Sequence, residues 1–386
     1  MKHIDATGEK SGDKKSHEIL WLQGLRGIAC ILVVLCHARY FMLNTPAWPF
    51  AEQLFIPGAA GVDLFFVISG FIMTYTTVRP GATSLDFLRQ RFTRIWPPYV
   101  VMTLIWVFFV DGRTLMSLLS PDVGIPLLKS LFFIPVNPQA PLYFNVTLPL
   151  GWTLEFEAYF YLIFAISMLF GRLRWAALFA WFIYSALIFP MKKRGLDLDV
   201  MKDLGYSFGY AALVTNPIVI DFLFGVVAGA LYLSRIRIRS VRLCWNLLFI
   251  STAFALWSCY SMYYKFHGPL QWGIPMALLV CVLAIVSKTI AVKFPAIILW
   301  LGRISFSLYL THTATQQRLM AYAMQKNVDV HSWSFIFIST AAAIFIAYFF
   351  YEIVEVRLCN YIRKALTKAG SSPRQPLESS AEAQVR

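Results

Sequence analysis

Ten stretches of mostly apolar residues, each closed off by charge, divide this 386-residue chain: 24–43, 60–78, 97–112, 152–170, 174–190, 213–233, 244–263, 270–290, 296–313 and 333–356. A bilayer core about 30 Å thick takes about 20 helical residues to cross, and backbone polar groups in lipid must be satisfied within the segment. The chain is therefore expected to be all-α, a polytopic transmembrane helical bundle of about ten spans. Its composition agrees, with 58% hydrophobic and 14% charged residues, against about a quarter charged in soluble proteins. Three parts follow: an N-terminal tail over 1–19, a membrane domain over 20–368, and a disordered tail over 369–386 without apolar periodicity. No signal-peptide core opens the polar first twenty residues. The Pro-rich stretch 113–151 carries its own apolar patch and is expected to be re-entrant or to lie at the interface.

With the N-terminus inside, 22 Lys and Arg fall in inner segments, nine in outer ones, and Arg26, Arg39 and Arg303 within spans. The positive-inside rule then places both termini in the cytoplasm, against the Lys-Lys-Arg run of the 191–216 loop. The net charge of +14 is dispersed in short clusters without a continuous stripe, which argues against a nucleic-acid partner. Cys30, Cys36, Cys244, Cys259, Cys281 and Cys359 are scattered, with no metal-ligand spacing, and are read as buried thiols. No metal site is expected.

A charge deep in the membrane is costly and normally faces protein or a wet cavity. Arg26 and His37 stand eleven positions apart in the first span, which returns them to within about 20° on one face and separates them by about 16 Å. Arg26 is then near the inner surface and His37 in the outer half. Asp63 and Glu157 are expected at the depth of His37, with His312 able to join them. An imidazole beside carboxylates is what general-base chemistry on a hydroxyl requires. Glu155 points about 200° away from Glu157 and cannot share its pocket. At the inner level Arg91 and Arg94 share a helical face, with Arg89 beside them and Arg26 and Arg303 at compatible depth. Guanidinium groups in that arrangement suit phosphates.

Each of these residues also has a plain structural reading. The arginines anchor helices to anionic lipid, the histidines pack, Asp63 caps a helix start, and Glu355 pairs with Arg357 or Arg363. A transporter or flippase uses intramembrane charge too, yet the sequence carries no inverted repeat or paired broken helices.

LQGLRGIACILVVLCHARYF, GVDLFFVISGFIM, FLRQRFTRIWPPY, GWTLEFEAYFY, LGRISFSLYLTH and YEIVEVRL occur in that order along nearly the whole chain. In order and spacing they resemble the membrane-bound acyltransferase 3 family, particularly its exopolysaccharide-production branch. The family's Arg-x10-His pair falls on Arg26 and His37, its RxxR on Arg91 and Arg94, its fourth-helix Glu on Glu157, and its closing acid on Glu355. The chain departs from many relatives in having Ala158 where they carry a second acid. The resemblance implies O-acylation of a sugar, usually acetylation, in the inner membrane of a bacterium. It also implies acyl-coenzyme A as cytoplasmic donor, with no permanently bound cofactor. The expected partners are then the donor, a carbohydrate acceptor and membrane lipids. His37, Arg26, Asp63 and Glu157 are the expected catalytic residues, and Arg91, Arg94 and Arg303 the donor-binding ones. Trp152 and His312 are expected at the acceptor. A direct attack by the hydroxyl and a covalent His intermediate both remain open.

Overall fold

In the computed structural model, which describes residues 19–78, 81–195, 197–203, 205–261 and 266–370, helix α1 (Leu20–Ala38) runs on through a 3-10 turn to Met42. The outermost parts of the two expected tails, 1–18 and 371–386, and the charge-count residues Arg79 and Lys265 lie outside the described residues. A short α2 (Trp48–Phe55) and a 3-10 turn lead into α3 (Gly61–Thr77). Helix α4 (Ser84–Ile105) starts where the Thr83 hydroxyl accepts the Asp86 amide at 3.1 Å, a side-chain cap that satisfies one of the first unpaired N–H groups. Arg89, Arg91 and Arg94 therefore lie inside the helix, whereas the apolar run alone placed them before it. Charge ends an apolar run without ending a backbone helix.

Then come α5 (Pro121–Leu131) and α6 (Trp152–Met168), followed by α7 (Arg174–Ile183) and α8 (Phe189–Arg194), joined by a π turn. Helices α9 (Gly209–Thr215) and α10 (Val219–Leu233) meet at a 44° bend. The chain closes with α11 (Val241–Tyr260), α12 (Ile274–Val286), α13 (Ala296–Arg303), α14 (Ser305–Gln325), α15 (Trp333–Phe350) and α16 (Cys359–Gly370). No strand occurs among the described residues, so the all-α class holds. In the 113–151 stretch, α5 and the turn before it leave Leu115, Met116, Leu119, Ile125 and Leu128 exposed, an apolar surface of the kind an interfacial segment presents.

Among the described residues, seven helical stretches can cross a membrane by length and composition, and the bent α9–α10 pair makes an eighth. The two expected spans that fall short are the fourth and the ninth. Helix α6 has only 17 residues and carries Glu155 and Glu157. The ninth breaks at Ile304 into α13 and α14, and α14 continues to Gln325 through Thr311, His312, Thr313, Gln316 and Gln317. Helix α6 falls short in length, and α14 in apolar content, because its buried Thr311, His312, Thr313 and Gln316 bring polar groups to the interior.

Close helix contact makes that interior narrow. A Cβ on Gly70 of α3 would lie 2.1 Å from the Phe222 carbonyl, and one on Gly225 of α10 would lie 1.9 Å from that of Val67. Small residues thus let these two backbones touch, as in membrane helix pairs. Phe66 of α3 meets Trp152, Phe156 and Phe160 of α6 edge-on, and Phe160 stacks on Phe222 at 4.4 Å. These rings fix α6 against α3 and α10, and with it the depth of every side chain that α6 carries.

Candidate active site

Two cavities lie end to end in the bundle, and the same helices line both at different turns. The first encloses about 700 Å³, mouth included, between Arg26, Arg91, Arg94, Glu157, Tyr161 and Tyr309. Arg26 donates to the Ser305 hydroxyl at 2.9 Å, and Arg91 donates to Thr76 at 2.9 Å while lying over the rings of Phe87 and Tyr161. Arg94 interacts electrostatically with Tyr161, Glu157 and Glu355. Glu157 accepts from Tyr161 and, at 3.4 Å, from Ser69. Glu355, the acid expected from the closing motif, accepts from Ser307 at 2.7 Å and faces Arg94 and Arg26. Three guanidinium groups against two carboxylates leave the site positive, the balance that receives an anion.

The second cavity is wider, about 2070 Å³ of empty space with its open mouth, and its walls include the aromatic rings of Tyr40, Trp106, Tyr143 and Trp152, the amides of Asn145 and Gln316, and one cation, Arg318. His37 lines it. Its Nδ1 stands 2.9 Å from the Val33 carbonyl, and a carbonyl only accepts, so Nδ1 carries the hydrogen and Nε2 keeps its lone pair. His312 repeats the pattern: its Nδ1 lies at 3.0 and 2.8 Å from the carbonyls of Leu308 and Tyr309, and its Nε2 reaches to 3.4 Å from His37 Nδ1. The ring of His37 is thus oriented by a backbone carbonyl and a second imidazole.

Between the cavities stands a thin partition. Thr153 of α6 and Tyr309 of α14 join hydroxyls at 2.8 Å, and both reach the Leu150 carbonyl, at 3.1 and 3.2 Å. Thr153 and Tyr309 line the arginine side, and Leu150 lines the histidine side. Tyr309 is less than one helical turn from His312, with ring centroids 6.1 Å apart.

Several sequence expectations are corrected by this geometry. Glu157 does not stand beside His37: the partition is at Thr153, one turn above Glu157 on α6, so Glu157 falls on the arginine side. Asp63 does not orient His37 either. Its two oxygens accept the His267 ring Nδ1 and the Gly268 amide, each at 2.7 Å. Arg303 is exposed and lines neither cavity, because the break at Ile304 separates it from Ser305, which takes the place facing Arg26. Arg26, Arg91 and Arg94 do meet, His37 and His312 do meet, and Trp152 lines the His37 cavity as placed. Glu155 is buried apart from both cavities and receives no hydrogen bond. The sequence reading missed His267, Tyr309, Thr153 and Asp221. Of these only Asp221 carried a signal, being a carboxylate inside the sixth expected span.

The family model described as an acyltransferase domain matches residues 19–352, nearly all of this helical assembly. The chain belongs to that acyltransferase family. The exopolysaccharide production protein ExoZ of Rhizobium meliloti is 35% identical over 182 residues, 46% of this chain and 52% of that protein. Protein 2 in the picA locus of Rhizobium radiobacter is 29% identical over 133 residues, 30% of this chain and 63% of that protein. The matches thus span about half to somewhat under two thirds of these curated relatives. No solved structure matches the chain. Both cavities of this acyltransferase-family protein fall within the matched residues.

Proposed function

We propose that this membrane protein is an O-acyltransferase that moves an acyl group, acetyl by the family resemblance, from acyl-coenzyme A to a hydroxyl of a carbohydrate. The supporting observation is that an arginine-lined cavity and a histidine-lined cavity meet at the Thr153–Tyr309 hydroxyl pair. The donor phosphates dock at Arg91 and Arg94 from the cytoplasmic face, and Arg26 steadies the donor further in. The thioester carbonyl reaches the partition, where the Tyr309 hydroxyl can turn from the Leu150 carbonyl to donate to its oxygen as charge develops there.

The acceptor hydroxyl enters the His37 cavity from the opposite side. Nε2 of His37 takes its proton, the oxygen attacks the carbonyl carbon, the new C–O bond forms and the C–S bond breaks. The departing thiolate then recovers the proton from the imidazolium. The charged imidazole is held by Val33 and His312, and holding both reactants at one partition makes the encounter intramolecular. The bacterial relatives and the exopolysaccharide name of one of them favour a surface or lipid-linked polysaccharide as acceptor and a bacterial inner membrane as the location.

Purified protein in detergent, given radiolabelled acetyl-coenzyme A and de-O-acylated exopolysaccharide fragments, tests the proposal. Label should pass to the sugar in the native protein and not in His37→Ala. A folded native protein that binds donor and transfers nothing would be a transporter or a sensor, and the proposal would fall. Mass spectrometry of surface polysaccharide from cells with and without the gene identifies the acceptor position.

A further inference from the structure

Asp63 is 0% exposed at the start of α3, and a carboxylate so placed in a membrane protein needs partners. Both partners come from one loop, more than two hundred residues away: the His267 ring and the Gly268 amide. Gly268 has φ +115°, and a Cβ there would lie 2.6 Å from Val200, so the turn that presents its amide to Asp63 requires glycine. Asp221 of α10, also 0% exposed, lies against Asp63, and a Cβ on Gly273 would come within 2.0 Å of its Oδ1. The segment 266–273 that leads into α12 is therefore pinned to α3 and α10 at a place with no slack.

The ring that Asp63 holds does not end in packing. His267 meets Trp152 edge-on at 5.7 Å and Trp272 at 5.5 Å, with its side chain 11% exposed. Trp152 in turn meets Tyr143 edge-on at 5.4 Å, and Trp152 and Tyr143 both form walls of the His37 cavity. We infer that His267, clamped by Asp63, is a positioning residue that sets the Trp152 wall against which the sugar ring of the acceptor packs. This rests on the acyltransfer reading for the identity of the acceptor, but the placement of Trp152 by His267 does not. Flat indole and phenol rings at right angles offer a sugar ring an apolar floor and a side wall. Their mutual angle is set by the imidazole behind them.

The chemistry of the clamp gives a selective test, because only the δ nitrogen of His267 is bonded to Asp63. Asparagine places an amide nitrogen close to that position, whereas glutamine is one methylene longer and mimics the ε nitrogen. The full-length protein is labelled with fluorotryptophan, and the Trp152 fluorine resonance is assigned by its loss in Trp152→Phe. That resonance should shift in His267→Ala and His267→Gln and return toward its native position in His267→Asn. With fragments of de-O-acylated exopolysaccharide as the acceptor probe, the acceptor KM should rise about tenfold in the first two variants and recover in the third, with the donor KM unchanged.

An unmoved resonance in His267→Ala overturns the inference, as does equal behaviour of the Asn and Gln variants. Should the Ala variant fail to fold, the Asn and Gln pair decides alone. A resonance that moves while the acceptor KM stays constant removes the acceptor role. A native protein without any transfer defeats the acyltransfer reading, and the fluorine spectra still decide whether His267 places Trp152.

Discussion

The arginine cavity and the histidine cavity are built from the same helices and hold opposite chemistries. Helix α1 gives Arg26 to one and His37 to the other; α6 gives Glu157 and then Trp152; α14 gives Ser305 and Tyr309 and then Thr313 and Gln316. On the arginine side the ionised side chains are held by one another and by the hydroxyls of Ser305, Thr76, Ser69 and Ser307. On the histidine side the imidazoles are held by backbone carbonyls and by each other. On the proposed acyltransfer reading, this difference is how one bundle would serve two reactants. A rise of about 1.5 Å per residue lets a helix change its chemistry within about one to three turns, so that, on this reading, a phosphate-bearing molecule and a neutral hydroxyl would approach one partition from opposite ends.

The largest break in this comparison comes from His37→Ala. It should lower kcat by about 10³-fold, the scale of a lost general base, while acyl-coenzyme A still protects the protein in a thermal-shift assay. Loss of donor protection in that variant would mean that the two cavities are not separate sites. Tyr309→Phe tests the partition itself. Its ring keeps the packing and only the hydroxyl goes, so kcat should fall about a hundredfold, as for a missing oxyanion donor, with both KM values nearly constant. A kcat close to native would leave Tyr309 as a spacer.

Arg91→Gln and Arg94→Gln sharpen the comparison from the other end. Each should raise the donor KM about tenfold to thirtyfold, the worth of a charge-assisted hydrogen bond, and leave the acceptor KM alone. Steady-state kinetics with each substrate varied in turn separates the two. The smallest effect is the most diagnostic of the fold: Arg303→Gln should stay within about twofold of native in every parameter, since surface changes away from a site have little consequence. A donor KM that rises with this variant would contradict the break at Ile304 as the reason Arg303 is turned away.

Much of this arrangement could be read along the chain, and what could be read was local. The pairing of Arg26 with His37 on one face of α1, the shared face of Arg91 and Arg94, and the axial level of each follow from helical period and rise alone. Helix boundaries were less legible where charge interrupts an apolar run, as at α4, or where buried polar residues dilute one, as in α14. Partner choice was not legible. An equal expected depth along the membrane does not make a contact: Asp63 binds His267 and Gly268, and Glu157 stands on the arginine side of the partition.

The amino-acid order by itself settled that this is an all-helical membrane protein with guanidinium groups at one level and an imidazole at another, because periodicity and hydropathy act within a single helix. Only the tertiary structure decided which side chains meet: Asp63 with His267 across 204 positions, His37 with His312 across 275, and Glu157 with the arginines below the partition. Such choices depend on how each helix is rotated and how closely it approaches its neighbours. Glycine contacts and ring packing spread over the whole bundle set both, and no local period encodes them.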